Sequence, residues 1–248
     1  LSPAECEKVH VNYTIDRFLE RGGFPEPFLT QDLIDADRWR LQYIDSLLRE
    51  DVLDFENIQN LNAIRLVFDL LRERVGSPVS YTSIAQDAAI SPNTVKKYIQ
   101  ILEALYIVFR VTPFSRNIAR SLLKEPKIYF FDIGLVKGSS GARFENLVGF
   151  CLLKHALAKA DYQAKIVSLH YLLTKEKKEV DFVLARDNHM EKLIEVKHSD
   201  HSINPSLRYF HEKYQTPSVQ VVKELKRERV ENQIEVIQGG NFLKSLYL

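Results

Sequence analysis

The stretch from Glu179 to Lys197 constrains the fold more than any other part of this sequence, because it joins two strand patterns that carry charged residues. It reads Glu-Val-Asp-Phe-Val-Leu-Ala, then a short turn, then Lys-Leu-Ile-Glu-Val-Lys. Side chains alternate between the two faces of a strand, so Glu195 and Lys197 are predicted to share one face. Asp181 lies on the neighbouring strand and is expected to meet Glu195 across the pair. Two carboxylates and a lysine are expensive to leave dry and unpaired, so the pattern indicates a polar cluster.

These residue types are the ones that metal-assisted phosphodiester hydrolysis requires. The carboxylates of Asp181 and Glu195, with a backbone carbonyl and waters, make a hard oxygen site suited to Mg²⁺ or Mn²⁺. Such a metal polarises the scissile phosphate and lowers the pKa of a bound water. Lys197 would orient or activate that water, or stabilise the charge forming on phosphorus. Glu145, near the start of a helix predicted to run to about residue 160, is a candidate third acid. The alternative is an ordinary ion pair on a solvated strand face, which is the commoner meaning of an isolated Glu-x-Lys.

From about Gly141 to Asn241 the sequence resembles the PD-(D/E)XK nuclease superfamily, which is also called restriction-endonuclease-like. Glu145 matches the acid of that superfamily's first helix, and Asp181 matches the first acid of its motif. Glu195 and Lys197 match its (D/E)-x-K. The resemblance implies a metal-dependent nuclease-like domain in which these four residues are catalytic and the three acids hold the metal.

Four further motifs make the resemblance narrower, because they occur in one order along the chain. They are Gly22–Glu26, Leu102–Val108, Pro113-Phe114 with Asn117, and Pro126–Leu135. This succession resembles the C-terminal half of a large family of bacterial and archaeal AAA-type ATPases, in which a P-loop ATPase precedes a winged helix and a nuclease-like fold. The sequence holds no Gly-x-x-x-x-Gly-Lys-Ser/Thr, so ATP would be bound only in a longer parent protein, by its N-terminal P-loop ATPase domain. A start at Leu1 and a single methionine agree with a fragment of such a protein.

Helix and strand patterns predict three domains. Residues 1–57 are expected to form a helical linker module, residues 58–136 a winged helix-turn-helix domain, and residues 141–248 the nuclease-like domain. A flexible linker is predicted at 137–141 from its composition. The fold class is therefore α/β (α+β), with the nuclease-like part an α/β sandwich around a mixed central sheet.

The predicted elements follow from apolar periodicity, caps and breakers. The helices are predicted at 4–20, 31–49, 60–74, 80–88, 91–103, about 142–160 and 203–214. The strands are predicted at 106–112, 127–132, 165–173 and 219–223, besides the two that carry Asp181 and Glu195. Gly22–Glu26 is predicted to form a turn, with the wall of a pocket as the alternative. Asp132 is expected to cap a turn.

The helix at 91–103 is a candidate DNA-recognition helix. Asn93 and Thr94 would approach base edges, and Lys96 and Lys97 would contact phosphates. The basic loop that follows would hold the flanking backbone through Arg116, Arg120 and Lys124. The alternative is a winged helix that docks onto protein and carries solvated lysines.

Composition bounds the remaining possibilities. Among 248 residues, 45% are apolar and 27% charged, which is typical of a soluble protein expected in the cytoplasm, and no apolar run approaches the roughly 18 residues of a membrane span. The two cysteines are expected to be reduced. Net charge is +1, yet residues 1–57 hold 13 acidic and six basic residues.

DNA hydrolysis is the first hypothesis. The alternatives are a non-catalytic DNA- or protein-binding module that targets the missing ATPase half, and a protein-binding regulator that docks through its acidic segment.

Overall fold

A computed structural model of the chain describes residues 1–48, 60–115, 125–199 and 202–247. Within these ranges the helices are α1 (Pro3–Lys8), α2 (Ile15–Arg21), α3 (Pro25–Leu29), α4 (Leu33–Ser46), α5 (Leu61–Arg72), α6 (Tyr81–Ala88), α7 (Pro92–Ala104), α8 (Ser140–Gln163), α9 (Pro205–Tyr214) and α10 (Gly239–Lys244), with a 3-10 helix at Ile133–Leu135. The strands are β1 (Val108–Pro113), β2 (Lys127–Phe130), β3 (Ser168–Leu173), β4 (Glu179–Arg186), β5 (His189–Ser199), β6 (Ser218–Glu224), β7 (Arg229–Glu231) and β8 (Ile234–Gln238). The fold is mixed α/β, as predicted.

The described residues cluster in two compact units. The first unit takes the described parts of residues 1–15, 111–124 and 147–248, and the second takes those of 16–110 and 125–146. The boundaries between the units at residues 15/16, 110/111 and 146/147 fall within α2, β1 and α8 respectively. The three domains expected at 1–57, 58–136 and 141–248 stay predictions.

A mixed sheet organises the first unit. Within this unit the strands of the sheet follow the order β1-β3-β4-β5-β6-β8-β7. The pairs β3–β4, β4–β5 and β7–β8 are antiparallel, whereas β1–β3, β5–β6 and β6–β8 are parallel. The central strands β4, β5 and β6 are rich in buried aliphatic side chains, which suits strands covered on both faces.

Helix α9 supplies part of the core of the first unit. Asn204 caps its N-terminus, Pro205 occupies its first turn, and Gln215 ends it in the left-handed region. Leu207 and Phe210 lie on its inner face and belong to one buried cluster with strand residues such as Val183 and Leu193. Burying each such side chain is worth roughly 1.5–3 kcal/mol.

Helices α5, α6 and α7 form the centre of the second unit. Ser80 and Ser91 cap α6 and α7, and Pro92 takes the first position of α7, as predicted. Between these two helices Ala89 adopts a left-handed conformation with φ of 53°, which turns the chain sharply. Strand β2 lies beside β1, where the Phe131 amide donates to the Ile107 carbonyl at 3.1 Å.

The single helix predicted for residues 4–20 is wrong, because the chain forms α1 and α2 instead. His10 is left-handed with φ of 56°, and the Val11 amide donates back to the Cys6 carbonyl at 2.9 Å. The intervening Val-Asn-Tyr-Thr run has low helix propensity. Local backbone preference therefore prevails over the apolar periodicity that spans the break.

Helix α3 was not predicted, and its first residues, Pro25 and Glu26, lie in the turn predicted for Gly22–Glu26. Other differences concern residues after 136. Ser140 and Gly141, which were predicted to lie in a flexible linker, begin α8. The Ser139 hydroxyl accepts from the Ala142 amide at 3.2 Å and so caps this helix. Strands β7 and β8 and helix α10 were not predicted, because they are short and each carries polar residues.

In the part of the chain that the structure describes, no helix has the length and apolar character needed to cross a membrane. Cys6 and Cys151 are buried and carry free thiols, as predicted. Burial raises the pKa of the Cys151 thiol to about 12, so the thiol is neutral and unreactive.

Candidate active site

Strands β4 and β5 place Asp181 beside Glu195. In the antiparallel register Phe182 pairs with Ile194. The neighbouring pair is therefore Asp181, which precedes Phe182, and Glu195, which follows Ile194. One carboxylate oxygen of Asp181, Oδ2, accepts a hydrogen bond from the Val196 amide at 2.9 Å. The predicted neighbouring position of the two acids on paired strands is therefore confirmed.

Glu195 and Lys197 are in direct contact. The Lys197 ammonium lies 2.7 Å from Glu195 Oε1. Glu195 is only 3% exposed, whereas the Lys197 side chain is 33% exposed. The predicted common face is confirmed. A buried carboxylate held by a half-exposed lysine gives an ion pair whose cation still reaches solvent.

Asn204 and Gln220, which the sequence did not predict as site residues, complete this cluster. The Asn204 amide nitrogen, Nδ2, donates to Glu195 Oε1 through a short hydrogen bond. Asn204 also accepts from the Ser206 amide at 2.7 Å, and its own backbone amide donates to Gln220 Oε1 at 2.9 Å. Gln220 is fully buried on β6 and stands opposite Glu195 in the parallel register. These bonds fix the orientation of the Glu195 carboxylate.

A sequence signal for both residues existed. Gln220 is the only polar side chain in the apolar run Val219–Val222, and a buried polar group in such a strand needs a partner. Asn204 precedes Pro205, which is typical of a helix start. Neither signal indicates that Asn204 contacts Glu195 or that Gln220 stands opposite it, because both arrangements join separate elements.

The donors of this cluster suit a hard divalent cation. Asp181 and Glu195 supply carboxylate oxygens, the ligands that Mg²⁺ and Mn²⁺ prefer. Within the described ranges, no group of three His, Cys, Asp or Glu side chains is placed to hold a metal ion. A metal held by two carboxylates would complete its shell with backbone carbonyl, water or phosphate oxygens, as Mg²⁺ usually does. Binding of Mg²⁺ or Mn²⁺ by this cluster stays a prediction.

Glu145 lies in the second unit, in the part of α8 that belongs there. Its Oε1 accepts from the Tyr129 hydroxyl at 2.7 Å and lies 3.4 Å from the Lys127 ammonium. Lys127 is fully buried, so Glu145 balances a buried cation. A Cβ at Gly76 would lie 2.8 Å from the other Glu145 oxygen, so glycine makes room for this carboxylate. The part of Glu145 in metal binding stays a prediction.

Helix α7 presents the predicted nucleic-acid contacts to solvent. Asn93, Lys96 and Lys97 are exposed, while Thr94 is half-buried and lies 2.8 Å from the Ser91 hydroxyl. Val95, Ile99 and Leu102 face inward and anchor the helix. The predicted loop contacts Arg116, Arg120 and Lys124 lie outside the described residues.

The motifs around Gly22 and Asp132 meet in the second unit. Asp132, 1% exposed, caps the 3-10 helix by accepting from the Gly134 amide, and it also accepts from the Gly23 amide, both at 3.2 Å. Gly22 has φ of +74°, and a Cβ there would lie 1.7 Å from the Asp132 carboxylate. The predicted cap at Asp132 is confirmed, and Gly22 is required by both backbone conformation and space.

Two family models match this chain. The model of a domain of unknown function, DUF8612, matches residues 12–145, and that of a second domain of unknown function, DUF4143, matches residues 140–241. DUF4143 is a domain found in the C-terminal region of AAA-ATPase-like proteins. Because the first match covers more than half of the chain, the chain belongs to the DUF8612 family. The DUF4143 match confirms the predicted similarity to the C-terminal region of AAA-type ATPases, and it does not bear on the predicted winged helix or nuclease fold.

Relatives in curated proteins are themselves uncharacterized. The chain is 28% identical over 121 residues to uncharacterized proteins of Mycobacterium tuberculosis and Mycobacterium bovis, covering 49% of this chain and 27% of each relative. It is 25% identical over 201 residues to an uncharacterized protein of Methanocaldococcus jannaschii, covering 77% of this chain and 43% of that relative. The chain thus spans less than half the length of these relatives. No solved structure matches it significantly.

Proposed function

We propose that this chain is the nuclease-like C-terminal region of a AAA-type ATPase and hydrolyses DNA phosphodiesters with Mg²⁺ or Mn²⁺. The observation that carries the proposal is the buried Glu195 carboxylate, which contacts the Lys197 ammonium at 2.7 Å beside Asp181 on paired strands. Two acids and a lysine held together by strand register are the groups that this chemistry needs. A cytoplasmic location belongs to the proposal, and the free thiols of Cys6 and Cys151 support it.

Four residues of the cluster have separate roles in the proposed reaction. Asp181 and Glu195 hold the cation, which when bound polarises the phosphate and supplies a water of lowered pKa. Lys197 orients the attacking water and stabilises negative charge on the phosphoryl oxygens. Asn204 is a positioning residue, because its amide holds the Glu195 carboxylate in place.

Nicking of supercoiled plasmid tests the proposal. With Mg²⁺ or Mn²⁺ the purified chain is expected to nick DNA, and EDTA is expected to stop the reaction. Asp181→Asn and Lys197→Met are each expected to lower the nicking rate by about 100-fold or more, because each removes a group from the reacting centre. Circular dichroism checks that both variants stay folded.

Lys192→Ala is the matched control. Lys192 lies on the same strand, β5, with its side chain 35% exposed and 3.4 Å from Glu235, so it resembles Lys197 in exposure and pairing. This variant is expected to nick like the wild type. Nicking that persists in both Asp181→Asn and Lys197→Met would refute the assignment of the active site.

The surface of α7 favours a second candidate function, a non-catalytic module that brings the ATPase part of a longer protein to DNA. Asn93, Lys96 and Lys97 are exposed near the N-terminal end of this helix, where a recognition helix contacts DNA. Folded protein that binds DNA but does not nick it with either metal would favour this function over the first.

A further inference from the structure

A pocket in the second unit is lined by three arginines. Its volume is about 330 Å³, and it lies between α4, α5 and the 3-10 helix. Arg40, Arg65 and Arg72 line it together with the apolar side chains of Leu41, Ile44 and Leu135. Asp37 and Asp69 also line the pocket, and each of the three guanidinium groups is paired with one carboxylate: Arg40 with Asp37, Arg72 with Asp69, and Arg65 with Asp45.

Arg40 is the most informative of the three, because it is 7% exposed yet incompletely bonded. Its Nη2 donates to the Asp37 carboxylate through a short hydrogen bond and to the Glu20 carbonyl at 3.3 Å. Its Nη1 is buried and has no hydrogen-bond partner among the residues that the structure describes. A Cβ at Gly134 would lie 2.6 Å from this nitrogen, so a glycine leaves room for the guanidinium at the pocket wall. A buried charged donor without a hydrogen bond is costly. The Asp132 carboxylate interacts with Arg40 electrostatically but makes no hydrogen bond with Nη1, so this nitrogen is still open to a further acceptor.

The other two arginines are held in place by protein groups that use only part of their donors. Arg72 donates through Nε to the Leu135 carbonyl at 2.6 Å and through Nη1 to Asp69 at 3.1 Å. Arg65 is half-exposed and donates through Nη1 to Asp45 at 3.3 Å. A guanidinium has five N–H donors, so both side chains keep donors for a ligand.

We propose that this pocket binds a small organic anion. Its phosphate or carboxylate group accepts hydrogen bonds from Arg40, Arg65 and Arg72, and its short apolar body packs against Leu41, Ile44 and Leu135. Arginine suits this role, because its planar fork matches the oxygens of phosphates and carboxylates. The lining residues all belong to the second unit and none belongs to the Asp181–Glu195–Lys197 cluster, so the proposal does not depend on nuclease activity.

Isothermal titration calorimetry of the full chain tests the proposal with four probes: inorganic phosphate, pyrophosphate, AMP and glutarate. At least one probe is expected to bind saturably with one site per chain. Arg65→Ala is expected to weaken that binding by about tenfold or more, since it removes one charged donor. This side chain is 53% exposed, so its loss leaves the core of the fold intact.

Arg38→Ala is the matched control, because Arg38 is 64% exposed, pairs with Asp35 at 3.0 Å and does not line the pocket. Binding by this variant is expected to equal that of the wild type. If the phosphate-containing probes bind and glutarate does not, the ligand carries a phosphoryl group. If only glutarate binds, the ligand carries a carboxylate. The proposal is overturned if no probe binds saturably, if Arg65→Ala binds normally, or if Arg38→Ala loses affinity as much as Arg65→Ala.

Discussion

At the scale of single residues, Asp132 carries an electrostatic cost that depends on pH. Burial raises the pKa of its carboxyl from 3.8 to about 6, against the opposing effects of Arg40 and of the Gly134 and Gly23 amides. The folded state thus binds this proton more tightly than the unfolded chain does. The stabilisation from this group is fully present below about pH 4 and is lost as the pH rises through about 6.

Asp132→Asn removes this titration, and its effect is measurable by urea unfolding at about pH 5 and about pH 7.5. Between these two pH values the free energy of unfolding of the wild type is expected to fall by roughly 1 kcal/mol relative to that of the variant. The reason is that the pKa of the Asp132 carboxyl is about two units higher in the folded state than in the unfolded chain. Asp35→Asn serves as the control, because it removes an exposed carboxylate, paired with Arg38, rather than a buried one. If the difference in unfolding free energy between wild type and variant stays constant with pH, the raised pKa of Asp132 is contradicted.

At the scale of elements, α7 is expected to contact phosphates through its lysines. The double substitution of Lys96 and Lys97 by alanine is expected to weaken DNA binding by about tenfold. The slope of log K against log salt concentration is expected to become shallower by roughly one to two, which corresponds to the loss of roughly one to two phosphate contacts. The loss should be similar for every DNA sequence, because these residues contact the backbone rather than base edges. Fluorescence anisotropy at several salt concentrations measures both quantities.

Lys137→Ala provides the comparison for α7. Lys137 is a half-exposed lysine of the second unit that lies 3.5 Å from Asp69 and outside the helix. Its loss is expected to change the affinity little. Equal weakening by Lys137→Ala and by the double variant would mean that overall charge, rather than the α7 surface, determines binding.

At the scale of the whole molecule, metal binding is expected to raise the thermal stability of the chain. A ligand that binds only the folded state at ten times its Kd adds about 1.4 kcal/mol, which corresponds to a shift of roughly 3–6 °C for a chain of this size. Mn²⁺ is therefore expected to raise the Tm of the wild type measured by calorimetry, because the proposed ligands Asp181 and Glu195 are brought together only when β4 and β5 are paired.

Asp181→Asn is expected to abolish this shift, while Lys192→Ala keeps it. Since Lys192 lies on β5 outside the cluster, the pair of variants separates specific binding from a general effect of divalent ions. A shift of the same size in Asp181→Asn would show that the ion binds elsewhere.

The sequence by itself determined the features that depend on residues a few positions apart. Strand alternation determined the common face of Glu195 and Lys197, and side-chain caps determined where α6 and α7 begin. These features are local, because a strand period or a cap involves only neighbouring residues. The broken helix at residues 4–20 shows the limit, since periodicity continued across a stretch that local backbone preference interrupts.

Only the tertiary structure decided which distant residues meet. The contact of Asn204 with Glu195, the pairing of Glu145 with buried Lys127, and the arginine-lined pocket at Arg40 each join separate elements. Sequence spacing does not specify such contacts, because they depend on how helices and strands pack once their apolar faces are buried. The same packing assigns Glu145 a charge-balancing contact that its motif did not predict, and it brings three arginines from two helices around one cavity.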